Sequence, residues 1–233
     1  LGGGESGEAG PADVQPGDGA RGEGADLAAQ LAEVRRFSDG APHVVSLDPD
    51  APDGAADALA ACGYASDYAW DKFARPPESP AGVRTDLVAR EAGPADARAM
   101  GAVSAAAFGL PAFTGDWLAA LVGRPGWTFF VAEDGGRPVG AAGLFVEAGT
   151  AWLGFGGTLP EHRGRGAQGV LFAARIRAAV DAGCTLLVTE TGAPARHGPG
   201  PSYRNMLRFG FAPVYRRPNL LSPPGAARLP AGG

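Results

Sequence analysis

Apolar and polar positions alternate along this chain in two periods, and the order of the periods changes once. Val83–Arg90 predicts a strand. Pro94–Phe108 predicts a helix with Pro in its first turn, where a missing N–H costs nothing, and Asp116–Val122 predicts a second helix. Trp127–Glu133 and Val139–Glu147 predict strands joined by the hairpin turn Asp134-Gly135-Gly136, and Gly149 turns the chain into Ala151–Thr158. From there helix and strand alternate: Ala167–Ala182, Thr185–Glu190, Ser202–Phe209, Phe211–Arg217. Hairpins followed by helix-joined strands predict an α/β (α+β) fold. Its mixed central sheet has an antiparallel part ahead of its parallel part and is flanked by helices.

Upstream, residues 26–74 predict the order helix, strand, helix, strand. Leu27, Leu31 and Val34 recur at helical spacing, and His43–Leu47 is a short β-type run. Ala55–Cys62 is an Ala-rich helix with Gly63 as its C-cap, and Tyr68–Phe73 alternates aromatic and polar residues. Residues 1–24 hold almost no large apolar side chain to offset ordering entropy. The expected organisation is a disordered Gly-rich tail over 1–24 and a small αβαβ segment over 25–74. A Pro-rich linker over 75–82, a main domain over 83–220 and a flexible Pro/Gly tail over 221–233 follow.

Composition changes this picture mainly by exclusion. Apolar residues are 45% of 233, enough for a core. With a net charge of −5 no basic face for nucleic acid is expected, and the arginines are scattered, with a local group at Arg163 and Arg165. No run of 18 apolar residues is present, so neither a membrane span nor a membrane partner is expected. The first residues lack a basic region followed by an apolar run, so a signal peptide is not expected and the cytoplasm is the default compartment. Cys62 and Cys184 are expected as buried reduced thiols, and Trp117, Trp127 and Trp152 as core. His43, His162 and His197 are too scattered for a metal site. Lys72, the only lysine, has no Gly-rich loop before it, and Gly-x-Ser-x-Gly is absent, which removes a Walker loop and a hydrolase elbow.

The chemistry concentrates at Arg163-Gly164-Arg165-Gly166-Ala167, between a strand and an amphipathic helix. Glycines let the backbone turn tightly and expose N–H groups, and the helix start adds orphan donors and partial positive charge. Together they form an anion site suited to a pyrophosphate, with the two arginines at its rim. The string from Thr158 to Gly166, with Pro160 after the strand and Arg163-x-x-Gly166-x-Gln168, resembles the central motif of GNAT acetyltransferases. Phe209-Gly210-Phe211 resembles the Gly-Phe that opens the family's last strand. The resemblance covers roughly residues 83–217.

It implies an N-acetyltransferase that uses acetyl-CoA as co-substrate, with no metal, and a small-molecule amine as acceptor; a homodimer stays open. The cofactor contacts it implies are Thr158, Leu159, Arg163, Gly164, Arg165, Gly166, Ala167, Gln168 and Asn205. Backbone N–H groups near Leu159 would polarise the thioester carbonyl. Arg204 and Arg208, beside Asn205, are further candidates for a phosphate. Glu190 ends the strand that splays from its neighbour in the resembled fold, where a carboxylate can take a proton from an ammonium. Two departures bear on the chemistry. Gln168 stands where the family usually has Gly or Ala, and Met206 stands where many members carry a general-acid tyrosine. Tyr203, one helical turn earlier, is the substitute candidate.

Two rival readings are weighed. Gly164-x-Gly166-x-x-Gly169 with Glu190 matches a dinucleotide fingerprint, but such a loop follows its strand directly, and here Pro160 and its neighbours intervene. A GNAT fold that binds acyl-CoA without turnover, as a sensor or scaffold, is favoured by Met206. Finally, Gly63-Tyr64 parallels Gly210-Phe211, and Arg21-Gly22-Glu23-Gly24-Ala25 parallels Arg163–Ala167, which predicts a reduced second copy of the GNAT-like half over 25–74.

Overall fold

A computed structural model describes residues 29–39, 41–193 and 200–223. The chain divides into two compact units. The smaller holds Asp50–Asp67 with the described residues up to Val45 and from Leu220 on; the larger holds Ser46–Pro49 and Tyr68–Asn219. The division falls within a strand, not at the Pro-rich stretch 75–82.

The smaller unit contains α1 (residues 29–37), most of β1 (Val44–Ser46) and α2 (Ala55–Ala61). Its buried apolar residues include Leu31, Leu59 and Tyr64. Arg35 donates from Nη2 to the Cys62 carbonyl at 2.7 Å and lies 5.4 Å from the Tyr64 ring centre, while His43 Nε2 meets Tyr64 Oη at 2.7 Å. The expected tail over 1–24 and His197 lie outside the described residues.

In the larger unit β2 (Ala65–Arg75) enters from Tyr68 on. It is followed by β3 (Val88–Glu91), α3 (Ala97–Phe108), α4 (Ala112–Ala119), β4 (Trp127–Asp134), β5 (Arg137–Glu147) and β6 (Thr150–Thr158). Then come α5 (Ala167–Asp181), β7 (Leu186–Gly192), α6 (Pro201–Arg208) and β8 (Ala212–Leu221). The strand order is β1-β8-β2-β7-β6-β5-β4-β3, with Ser46 the residue of β1 that belongs to this unit. The hairpins β4–β5 and β5–β6 are antiparallel and β6–β7 is parallel. The expected mixed sheet is therefore present.

Helices cover both faces, which explains why β5 is buried without interruption from Val139 to Leu144 instead of alternating. On one face α5 packs Leu171, Phe172 and Ile176 against Leu144, Leu153 and Leu187. Each such side chain contributes about 1.5–3 kcal/mol by burial. On the other, Met100 and Val103 of α3 meet Phe129, Val131 and Ala141. α3 and α4 approach at Gly101 and Gly115: a β-carbon on Gly101 would stand 2.9 Å from the Gly115 carbonyl carbon.

Several boundaries differ from the sequence reading. The strand expected over Val83–Arg90 begins only at Val88, because Thr85 takes part in a loop contact described below. The helix expected over Asp116–Val122 runs Ala112–Ala119, started by Pro111. β8 continues past Arg217 to Leu221, into the segment expected as a tail: the Pro218 carbonyl accepts the Leu47 N–H at 3.0 Å, and Leu220 and Ser222 are buried. The stretch after β2 is pinned by Arg75, whose guanidinium donates to the carbonyls of Pro76, Glu78 and Phe209.

Candidate active site

Three pieces of backbone build the site. The first is a bulge in β6. Its register with β5 shifts so that Ala141 faces Gly157 while Gly143 faces Gly154. β6 thus carries one extra residue that leaves the ladder, and Phe155 adopts a φ of 54°, a conformation bulky residues rarely take. The second is the parting of β6 from β7, whose parallel pairing runs from Thr150↔Leu186 only to Leu153↔Thr189. The strands separate where the bulge begins.

The third is the entry into α5. Beyond Thr158 a 3-10 turn over Pro160–His162 leads to Gly164 (φ 78°) and Gly166 (φ 93°). These angles suit glycine alone without strain. The first turn of α5 then presents N–H groups that have no helical acceptor, the usual setting for a bound anion. Thr85 fastens the loop: its hydroxyl donates to the Arg165 carbonyl at 2.6 Å. A β-carbon on Gly166 would sit 3.0 Å from Thr85 Cβ.

A cavity of about 1150 Å³ opens over this loop. Its walls are the strap Ala81–Asp86, Phe108 at the end of α3, Gly156–Thr158 of the bulged strand, and Arg204, Asn205 and Arg208 of α6. Drug-sized ligands occupy roughly 300–1,000 Å³, so this volume suits a long ligand.

Of the residues expected to hold the cofactor, Thr158, Arg163, Gly164, Arg165, Gly166, Ala167, Gln168 and Asn205 line the cavity, and Leu159 does not. The Leu159 N–H donates to the Val139 carbonyl at 2.9 Å, and its side chain packs with the α3 core. The Leu159 N–H is thus committed to the sheet, so any N–H that polarises a ligand carbonyl here would come from its neighbours. Gln168 reaches Thr158 Oγ1 with its amide at 3.4 Å, so its side chain leans along the cavity wall.

The two loop arginines also differ from expectation. Arg163 turns inward, donating to the carbonyls of Ala107 at 3.0 Å and Thr158 at 3.3 Å. Arg165 pairs with Asp134 and with Asp86 at 3.2 Å. The hydrogen bond to Asp134 raises the Arg165 pKa and lowers that of Asp134. Arg84 of the strap and Arg204 and Arg208 of α6 also line the cavity. Arg208, whose guanidinium lies 5.3 Å from the Phe209 ring centre, also reaches the space beside Gly169.

The expected acid–base residues lie elsewhere. Glu190 sits one residue beyond the last β6–β7 pair, at the parting of the strands, but its carboxylate is held by Lys72 and by Arg217 at 3.8 Å. Burial first, then Arg217, push the Lys72 ammonium down to about 8, with Asp48 pulling the other way. Tyr203 packs edge-on against Phe73, ring centres 4.9 Å apart, and is not among the cavity-lining residues. Met206 is buried in the α5 core.

Sequence reading missed the strap Ala81–Asp86, whose residues look like a strand start, and the part of Lys72, which only strand pairing reveals. It also misplaced Trp117, which is 55% exposed and packs edge-on against Phe155, while Trp127 and Trp152 are half-buried in the same aromatic group. Cys184 is buried as expected, and Cys62 only half-buried; both are free thiols. Among the described residues no group of His, Cys, Asp or Glu is placed to hold a metal ion, and no helix is long and apolar enough to cross a membrane.

Comparison with known proteins agrees with this geometry. The model of the acetyltransferase (GNAT) domain matches residues 81–193, which hold the strap, the bulged strand and the loop. A GCN5-related N-acetyltransferase from Sphaerobacter thermophilus superposes with a TM-score of 0.68 at 23% identity, covering 89% of this chain and 70% of that one. A second, from Kribbella flavida, gives 0.67 at 20% identity over 87% and 77%. A tandem GNAT protein from the clavulanic acid biosynthesis pathway gives 0.65 at 18% identity over 92% and 74%. No curated protein matches the chain in sequence. Glycine loop, bulged strand and strand parting all lie within the residues that match the acetyltransferase (GNAT) domain, and the chain shares the fold of the GCN5-related N-acetyltransferases on which it superposes.

Proposed function

We propose that this protein is an acyltransferase that draws an acetyl group from acetyl-CoA and passes it directly to the amine of a small-molecule acceptor. The observation that carries the reading is the pair Gly164 and Gly166, in the left-handed region at the N-terminus of α5, opening into a cavity of about 1150 Å³, a volume that suits a large nucleotide-bearing ligand. The N–H groups of the loop would take the pyrophosphate, Arg204 or Arg208 a further phosphate, and Asn205 the arm. With Leu159 committed to the sheet, the donor to the thioester oxygen falls to backbone freed by the β6 bulge, at Gly156, which lines the cavity.

In the transfer a nitrogen–carbonyl bond forms, the carbon–sulfur bond breaks, the amine loses a proton and the thiolate gains one. Orientation supplies much of the rate, because a thiolate leaves readily. The exposed rings of Phe108, beside Gly157, and of Trp117, against Phe155, would offer the acceptor an apolar wall next to the bulge. Mass spectrometry of the purified protein for bound CoA, followed by CoA release across a panel of amines, tests the reading.

A second reading, acyl-CoA binding without turnover, is favoured by the engagement of Glu190 with two cations and by the burial of Met206. The same amine panel separates the two.

We infer also that residues 26–73 are a reduced copy of 167–217. The support lies in the caps of α2 and α6. Gly63 (φ 83°) and Gly210 (φ 78°) follow the helices, and Tyr64 N–H to Leu59 and Phe211 N–H to Met206 both measure 3.0 Å.

A further inference from the structure

Arg175 is the largest side chain of α5 that is wholly enclosed, at 1% exposure. No carboxylate among the described residues pairs with it. Its Nε donates to the Leu171 carbonyl one turn back at 3.1 Å, and its Nη1 to Gly154 at 3.1 Å and Gly143 at 3.4 Å. The guanidinium lies 4.7 Å from the Phe172 ring centre. Gly143 and Gly154 are the register partners just before the bulge. A β-carbon on Gly156, inside the bulge, would stand 3.3 Å from Arg175 Nη2.

A lone buried cation is costly, and an apolar side chain of similar volume would serve packing better. Desolvation alone pushes this guanidinium down to about 9. The same atoms suggest what offsets the cost. The guanidinium ties α5 to both strands where β6 leaves the ladder, and its charge stands behind the backbone that faces the cavity. Gly156 leaves room for it, since any side chain there would press on the guanidinium.

We propose that Arg175 is a positioning residue for acyl transfer: it fixes the β6 bulge so that Gly156 faces the thioester, and its charge stabilises the negative charge that develops there. The inference rests on the reading under Proposed function. The test uses the full chain with Arg175→Met and Arg175→Lys, measuring acetyl-CoA affinity, kcat with the best amine, and amide hydrogen exchange over residues 154–157.

Arg175→Met is expected to keep acetyl-CoA affinity within about threefold, lower kcat at least tenfold and speed exchange across the bulge. Arg175→Lys is expected to retain more rate at low pH and lose it as pH rises through the lowered pKa of a buried amine, a limb that falls at lower pH than that of the wild-type guanidinium. A folded Met variant with wild-type kcat, or with unchanged exchange at 154–157, overturns the proposal. Should the Met variant not fold, a Lys variant with wild-type kcat and no limb below that of the wild type overturns it equally. A wild-type protein that binds acetyl-CoA but acylates no amine refutes the enzyme reading instead, and exchange in the two variants then decides the role of Arg175 in the bulge.

Discussion

Lys72 of β2 and Glu190 of β7 are register partners across an antiparallel pair, and their side chains form an ion pair at the point where β7 parts from β6. The carboxylate best placed by sequence to take a proton from an acceptor thus comes already paired with the chain's only lysine. A Glu190→Gln change removes a charge that two cations share. It is expected to slow turnover more than it weakens acetyl-CoA, since Glu190 does not line the cofactor cavity. Steady-state kcat beside calorimetric affinity checks this, and equal losses in both would place Glu190 with the cofactor. Tyr203→Phe should leave the rate unchanged, because the ring packs on Phe73 away from the cavity lining.

Lys72 also makes a pH prediction. Its pKa falls from 10.5 unfolded to about 8 folded, with burial the larger cause and Arg217 the second. Between these values the unfolded chain binds the extra proton, so stability rises with pH there. Below about 8 both states are protonated and the cost of the buried ammonium is fully present. Melting temperatures of wild type and Lys72→Met across pH 7–11 should therefore diverge in favour of the wild type between about 8 and 10.5. A constant difference would show that Lys72 keeps its ordinary pKa.

The loop glycines differ in what they tolerate. Gly164→Val meets only the backbone penalty, since nothing lies within 4 Å of its added β-carbon, whereas Gly166→Val also presses on Thr85. Acetyl-CoA should raise the wild-type melting temperature; ligand at 100 times its Kd adds about 2.7 kcal/mol. Gly166→Val should abolish that shift and Gly164→Val reduce it. Undiminished affinity in folded Gly166→Val would reduce the loop to a turn.

Much of the larger unit was legible because its signals are local. The helix over Ala167–Asp181, the hairpin at Gly135-Gly136 and the cap at Gly210 each follow from residues a few positions apart. The loop that lines the cavity was legible for the same reason. The misread parts depend on partners distant in sequence. Leu159 N–H is spent on Val139 and Arg165 on Asp134 and Asp86. Nothing in the neighbourhood of Arg175 announces that its guanidinium reaches Gly143 and Gly154. Val83–Asp86 has strand-like residues, but the strap contacts the loop through Thr85 and Val83 rather than pairing in the sheet.

Packing of α3 on α4 gives a stability prediction. Backbones meet at Gly101 and Gly115 too closely for any side chain. Gly101→Ala should destabilise by about 1–3 kcal/mol, the usual cost of overpacking. Denaturant unfolding reads it. A neutral effect would mean that the two helices can separate freely.

The reading of residues 26–73 as a reduced copy makes the last prediction. Within the smaller unit Cys62 N–H bonds to Ala58 and Leu59, as Phe209 N–H bonds to Asn205 and Met206 in the larger. Asp39 (φ 48°) ends α1 as Gly183 (φ 74°) ends α5, and Ser38 N–H reaches Val34 as Ala182 N–H reaches Ala178. The caps support the proposed reading. Yet the first copy should bind no CoA. Where the second has Arg165, the first has Glu23, with Asp26 close behind, and both would set negative charge against a pyrophosphate. Isothermal titration with acetyl-CoA is therefore expected to give one site per chain, and Gly166→Val should remove all of the heat. Two sites, or residual binding in that variant, would mean that the first copy still holds a cofactor.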